Sequence, residues 1–230
     1  HRCGNLQLGG IVTPELVYAD YIYESAGSLG LADHFARYAT AIVTQLGLQP
    51  SGRLAVDIGS NDGTLLAALR THGFEVLGVE PGRQISKTAN SRGIETVTGF
   101  FSAGLAAGLA EEQGKALLIT ANNVIANIDD LEDVMEGIRV LLADDGVFVF
   151  ETGYVVDTIQ GTVLDNIYHE HLNYFGVGPL RKFLEGQRFE LFHVDRVATK
   201  AGSIRLFVQH SGGPRLDTRS TAALANLEEE

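Results

Sequence analysis

Between residues 53 and 152 short apolar runs alternate with stretches of helical spacing, and this alternation constrains the chain more than any other feature. RLAVDI (53–58), FEVLGVEP (74–81), IETVTGF (94–100), KALLITANN (115–123) and GVFVFET (146–152) read as strands. TLLAALRTHG (64–73), GRQISKTANSRG (82–93), SAGLAAGLAEEQG (102–114) and DLEDVMEGIRVLL (130–142) read as the helices between them. Apolar strands joined by single helices pair in parallel through right-handed crossovers, which predicts a doubly wound α/β sheet. A leading helix starts at Leu31, where Phe35, Tyr38, Ile42, Val43 and Leu46 recur at helical spacing, and LQPSG ends it.

After Thr152 the rhythm stops. Residues 157–176, which contain IYHEHLNYFG, read as a polar and aromatic insertion, and PLRKFLEGQ (179–187) as a short helix. FELFHVDRVAT (189–199) and SIRLFVQH (203–210) are strands separated only by KAG, too short for a parallel crossover, so they predict an antiparallel hairpin. A series of βα units closed by a helix and such a hairpin resembles the class I methyltransferase fold, a Rossmann-like sheet that is parallel except for its terminal hairpin. A dinucleotide-binding fold continues with parallel strands instead. The expected organisation is a core over 30–212, preceded by a segment 1–29 and followed by the start of a linker at 213–230, with both ends reading as parts of a longer protein.

A formal charge of -12 argues against a general nucleic-acid surface, which relies on clustered Lys and Arg. No apolar run approaches the roughly 18 residues of a membrane span, and no signal-peptide pattern is visible. The single cysteine, Cys3, excludes an internal disulfide framework and fits a reducing compartment, so the cytoplasm is the expected location.

The first βα turn carries the candidate cofactor site. It reads Asp57, Ile58, Gly59, Ser60, Asn61, Asp62, Gly63. Glycines let a backbone approach a ligand, and the following helix aims its free N–H groups at an anion. A dinucleotide site wants G-x-G-x-x-G, but Asn61 and Thr64 stand where its second and third glycines belong. In a methyltransferase the anion is the carboxylate of S-adenosyl-L-methionine, with Asp57 toward the amino end of that cofactor. Glu80 ends the second strand, where a carboxylate accepts ribose hydroxyls, and Pro81 turns the chain away. Asn122 and Asn123 end the fourth strand and would frame the sulfonium, while Phe101, beside Phe100, would wall the adenine. Each residue also has a plainer reading: Asp57 suits a helix cap, Glu80 a solvated carboxylate, the Asn pair a turn.

Five places, CGNLQL, DIGSNDGTLL, ANNVIANIDDL, DNIYHEHLNYF and AGSIRLFV, make the chain resemble the S-adenosyl-L-methionine-dependent C-methyltransferases of deoxysugar biosynthesis. These enzymes methylate a carbon beside a ketone on a nucleotide-linked sugar. The resemblance implies a nucleotide-linked keto-sugar as small-molecule partner, and a zinc-binding N-terminal module in the full-length protein to which Cys3 would contribute one ligand. It also implies that His171 is the base that removes the C–H proton, that Glu170 orients or charge-stabilises an imidazole, and that Tyr168 donates to substrate or enolate oxygen. Tyr23, Asn127, His169, Ser203 and Arg205 are implied substrate contacts, Arg205 through a diphosphate. Two departures stand out: Asn127 occupies a position where the family usually has His, and Lys200 and Ala201 stand where it usually has His-Gly. The residues taken alone leave open an oxygen, nitrogen or carbon acceptor on another natural-product intermediate, or a cofactor-binding domain without turnover. They say nothing of oligomeric state.

Overall fold

The computed structural model describes residues 4–18, 30–199 and 202–228. Its main sheet has seven strands in the order β4-β3-β2-β5-β6-β9-β8. These are β2 (Leu54–Ile58), β3 (Glu75–Glu80), β4 (Thr96–Thr98), β5 (Ala116–Asn122), β6 (Leu142–Gly153), β8 (Phe189–Val197) and β9 (Ser203–His210). Strands β4 to β6 pair in parallel, whereas β9 runs antiparallel to both β6 and β8. The predicted doubly wound sheet with a terminal hairpin is therefore the observed one.

Strand pleating separates two cores. Val56, Ile58, Ile119, Ala121, Phe148, Phe150 and Leu206 face one side, packed under α5 (Ala103–Gln113), α6 (Leu131–Leu141) and α8 (Val177–Gly186). Ala55, Leu118, Val147, Val149 and Phe207 face the other, under α2 (Leu31–Leu46) and α3 (Thr64–Thr71). Both faces are apolar because parallel strands are covered on both sides. Strand β6 begins earlier than the sequence predicts. Leu142 pairs with Ala116 directly after α6, and a shift of register then absorbs residues 143–146 before Val147 meets Leu118.

The insertion is built rather than loose. It holds α7 (Val155–Gln160), a 3-10 turn at Leu164–Asn166 and β7 (Asn173–Tyr174), which pairs antiparallel with β1 (Leu6–Gln7). The Asn173 side chain knots this ribbon together: its Oδ1 accepts from Asn5 Nδ2 at 3.0 Å and Gln7 Nε2 at 3.4 Å, and its Nδ2 donates to the Ile128 carbonyl at 3.2 Å. GNLQL and DNIYHEHLNYF are thus two halves of one local structure. At the other end α9 (Arg219–Leu227) lies on α8 and β8, and the Glu228 carboxylate accepts the N–H groups of Val177 and Gly178 at the start of α8.

The glycine turn follows from sterics. Gly59 has φ +70°, and a Cβ there would overlap Val124 Cγ2. Gly63 has φ +79°, with Ile94 Cγ2 2.9 Å from where its Cβ would stand. Gly59→Ala combines a left-handed backbone with overpacking, so it is expected to destabilise the domain by about 2–4 kcal/mol. A fall in melting temperature of roughly 5–15 °C would register this.

Candidate active site

The carboxyl ends of β2, β3, β5 and β6 converge at the glycine turn, the location where open α/β sheets bind ligands. Asp57 is buried and accepts the Thr120 hydroxyl at 2.6 Å. Burial pushes its carboxyl up to about 7, the Thr120 hydrogen bond opposing and the Glu80 charge reinforcing the shift. Glu80 is likewise buried and raised by burial. Two backbone donors fix it: Asn61 N–H to Oε2 at 2.9 Å and Gly82 N–H to Oε1 at 2.8 Å. Asn61 reaches its position with φ +53°, a conformation asparagine tolerates.

The register places Asp57 opposite Thr120 and Asn122 opposite Glu151. Glu151 in turn faces Arg205. All lie on the α2 side of the sheet, and Tyr38 of α2 descends onto them. The Asn122 amide lies beside the Tyr38 hydroxyl, whose pKa is raised first by burial and then by Glu151. Among the described residues Asn122 Nδ2, Asn122 Oδ1 and Tyr38 OH make no hydrogen bond of full geometry, although the Asn122 side chain is close enough to the Tyr38 hydroxyl to lower its pKa against the effect of burial.

On the opposite side of the strand ends lies a cavity of about 40 Å³. Asn123, Asn127, Thr152, Asn166, His171 and Asn173 are among its lining residues. The two adjacent asparagines therefore part company: Asn122 goes to the Asp57 side and Asn123, at φ +58°, to the His171 side. His171 Nδ1 lies 3.0 Å from the Asn166 carbonyl, and Nε2 lies 3.2 Å from Tyr168 OH. A carbonyl oxygen only accepts, so Nδ1 carries the hydrogen. In the neutral ring Nε2 is then the basic nitrogen and receives the Tyr168 hydroxyl hydrogen.

Several predicted site residues are used elsewhere. Asp62 accepts from Thr64 N–H at 3.2 Å and Thr64 Oγ1 at 2.6 Å, and pairs with Arg92 at 2.9 Å. The capping role open to Asp57 falls to Asp62, which is spent on the protein. Phe101 packs in the core against Gly137, because the β4–α5 turn points it inward; Phe100, 41% exposed, is the one left on the surface. Arg205 is 8% exposed, with Nε 2.7 Å from Glu151 Oε1 and its guanidinium 4.2 Å over the Tyr38 ring. Drawing it away to a diphosphate would leave Glu151 buried and unpaired, so in this arrangement the Arg205 charge is engaged by Glu151 beneath the site. The Ser203 hydroxyl donates to the Thr199 carbonyl and closes the hairpin.

The Asn166 carbonyl holds His171 Nδ1, while the Glu170 charge adds to burial in raising Tyr168. His169 is exposed, edge-on to Tyr168 at 6.0 Å and outside the cavity lining. Pro81 is half-buried at the turn after Glu80. Cys3, Tyr23, Lys200 and Ala201 lie outside the described residues. Among the described residues no group of three or more His, Cys, Asp or Glu side chains is placed to hold a metal ion, and no helix is long and apolar enough to cross a membrane.

Tyr38, Thr120, Thr152, Asn166 and Asn173 join the site without having been singled out in the sequence. Thr120 and Thr152 carry a usable signal, because each sits in the carboxyl half of a predicted strand. Tyr38 reads only as part of an apolar helix face.

Residues 31–194 match the family described as methyltransferase domain. The C-methyltransferase NovU of Streptomyces niveus is 32% identical over 206 residues, 90% of this chain and 49% of that protein. The chain thus spans about half the length of the curated relative it matches. Magnesium protoporphyrin IX methyltransferase from Synechocystis PCC 6803, solved with bound SAH, aligns with TM-score 0.59 and 16% identity, covering 86% of this chain and 92% of that one. An S-adenosylmethionine-dependent methyltransferase from Clostridium acetobutylicum ATCC 824 gives 0.59 and 15% identity, covering 86% and 96%. At such identities the shared property is the fold, the class I methyltransferase sheet. With that strand order and a match that runs from α2 into β8, the chain belongs to the methyltransferase-domain family.

Proposed function

We propose that this chain is the catalytic core of an S-adenosyl-L-methionine-dependent C-methyltransferase that acts beside a ketone on a nucleotide-linked deoxysugar. The cofactor, when bound, supplies an electrophilic methyl group on a sulfonium. Its fit rests on buried groups that make no hydrogen bond of full geometry among the described residues, the Asn122 amide and the Tyr38 hydroxyl, next to the Asp57 carboxylate and the fixed Glu80. Asp57 suits the ammonium of the methionine portion and Glu80 the ribose hydroxyls, since each Glu80 oxygen retains a second lone pair.

The observation that carries the carbon-acceptor reading is the hydrogen-bonded state of His171. With Nδ1–H anchored on Asn166, Nε2 is the nitrogen that takes a proton from the acceptor carbon. Tyr168 then turns its O–H from Nε2 toward the ketone oxygen, where negative charge collects as the proton leaves. With the cofactor in place, the carbon so activated would accept its methyl group in exchange for the sulfur–methyl bond, while the proton stays on His171. Asn123 ties the two halves together, because it lines the His171 cavity while its neighbour Asn122 belongs to the Asp57 side.

With thymidine-diphosphate-linked keto-deoxyhexose as acceptor, the purified protein is expected to form SAH and a product carrying a new methyl group on carbon. In deuterated water without cofactor, the hydrogens beside the ketone are expected to exchange. Methyl on oxygen or nitrogen, with no exchange, would assign the other acceptor classes instead.

A further inference from the structure

Thr152 stands near the carboxyl end of β6, on the face opposite Glu151. It is 1% exposed, and its Oγ1 finds no hydrogen-bond partner among the described residues. A buried hydroxyl left in that state is a cost that a valine of the same shape would not carry, so the group invites a ligand explanation. Thr152 lines the same cavity as His171. Asn127, also in that lining, donates its Nδ2 to the Asn123 carbonyl and keeps a buried Oδ1 with no partner among the described residues. One cavity beside the base therefore holds two unmatched groups of complementary kind: a hydroxyl able to donate, and an amide oxygen that only accepts.

We infer that Thr152 and Asn127 are the acceptor-positioning pair of the reaction, and that the substrate presents a ketone with a hydroxyl on a neighbouring carbon. This rests on the carbon-methylation reading above. Thr152 Oγ–H donates to the ketone oxygen alongside Tyr168, so two donors meet the charge that grows there on proton removal. Asn127 Oδ1 accepts from the neighbouring hydroxyl and fixes which side of the ketone faces His171 Nε2. Asparagine suits this task because a carboxamide oxygen accepts without bringing a charge next to the forming enolate.

Thr152→Val and Thr152→Ser, assayed with thymidine-diphosphate-linked keto-deoxyhexose, test the pair. The valine variant is expected to lose roughly 10²-fold in kcat and in cofactor-free deuterium exchange, the scale of one lost oxyanion donor. Its melting temperature and SAH affinity stay at or above wild type, and serine restores exchange to within a few-fold. Asn127→Leu is expected to raise KM for an acceptor with a hydroxyl beside the ketone about tenfold, leaving the deoxy analogue unchanged, as for a site built around a hydrogen bond. Wild-type exchange in Thr152→Val overturns the inference, and so does a drop in melting temperature that accounts for the lost activity and that serine does not repair. Wild-type protein that binds SAH yet shows neither exchange nor transfer overturns the underlying reading, and the inference with it.

Discussion

Substituting His171 with alanine is expected to cut methyl transfer by roughly 10²–10⁴-fold, the range general-base catalysis supplies, while SAH binds as it does to the wild type. The separation follows from geometry. His171 belongs to the insertion and touches Asn166 and Tyr168, whereas Asp57, Tyr38 and Asn122 meet on the other side of the strand ends. Deuterium exchange without cofactor should fall by the same factor as turnover, because both depend on the same proton removal. Isothermal titration with SAH and a melting curve complete the test. If SAH affinity falls in step with activity, His171 holds the cofactor side together and is not the base. If exchange persists while transfer is lost, another group removes the proton.

The core of this arrangement is legible in the sequence because it is periodic. Parallel strands buried on both faces appear as apolar runs, and GSNDG must interrupt them where a left-handed backbone turns into α3. Glu80 is found by position alone, at the end of a strand. What is not legible depends on side-chain direction. Nothing in FF tells which phenylalanine turns inward, and only the packing of Phe101 on Gly137 decides it. Arg205 lies in AGSIRLFV, where a resemblance alone invites a phosphate role, but pairing across β6 and β9 delivers it to Glu151. The glycine before it has a reason of the same kind: Gly202, at φ +125°, leaves no space between its own backbone and the Asp157 side chain for a Cβ. The ribbon of β1 and β7 joins segments far apart in the chain and only two residues long, too short for any periodicity to register.

Asp57 should make cofactor binding pH-dependent. Its carboxyl ionises at about 7 in the folded protein against 3.8 ordinarily, chiefly because burial penalises the charge. The folded state therefore keeps a proton that the unfolded chain releases above 3.8, so this residue costs stability progressively as pH rises from 3.8 to about 7 and by a constant amount beyond. An ammonium placed against the carboxylate reverses the preference, and binding expels the proton. The dissociation constant for SAH is then expected to fall roughly tenfold between about pH 6 and about pH 7.5, a range in which the ligand's amino group remains largely charged. Asp57→Asn keeps an acceptor for Thr120 while removing the buried charge. It should abolish most of that pH dependence, weaken SAH binding at every pH in the range, and raise stability at about pH 8 by about 1–3 kcal/mol with no gain near pH 4. Glu80, also raised by burial, is the control that needs separating, and the asparagine variant does so because it leaves Glu80 and its two backbone donors in place. An SAH affinity that is flat with pH in the wild type, or a slope that survives in Asp57→Asn, would remove Asp57 from the cofactor site. A stabilised variant that no longer binds SAH would instead identify the buried charge as kept for the ligand at the expense of the fold.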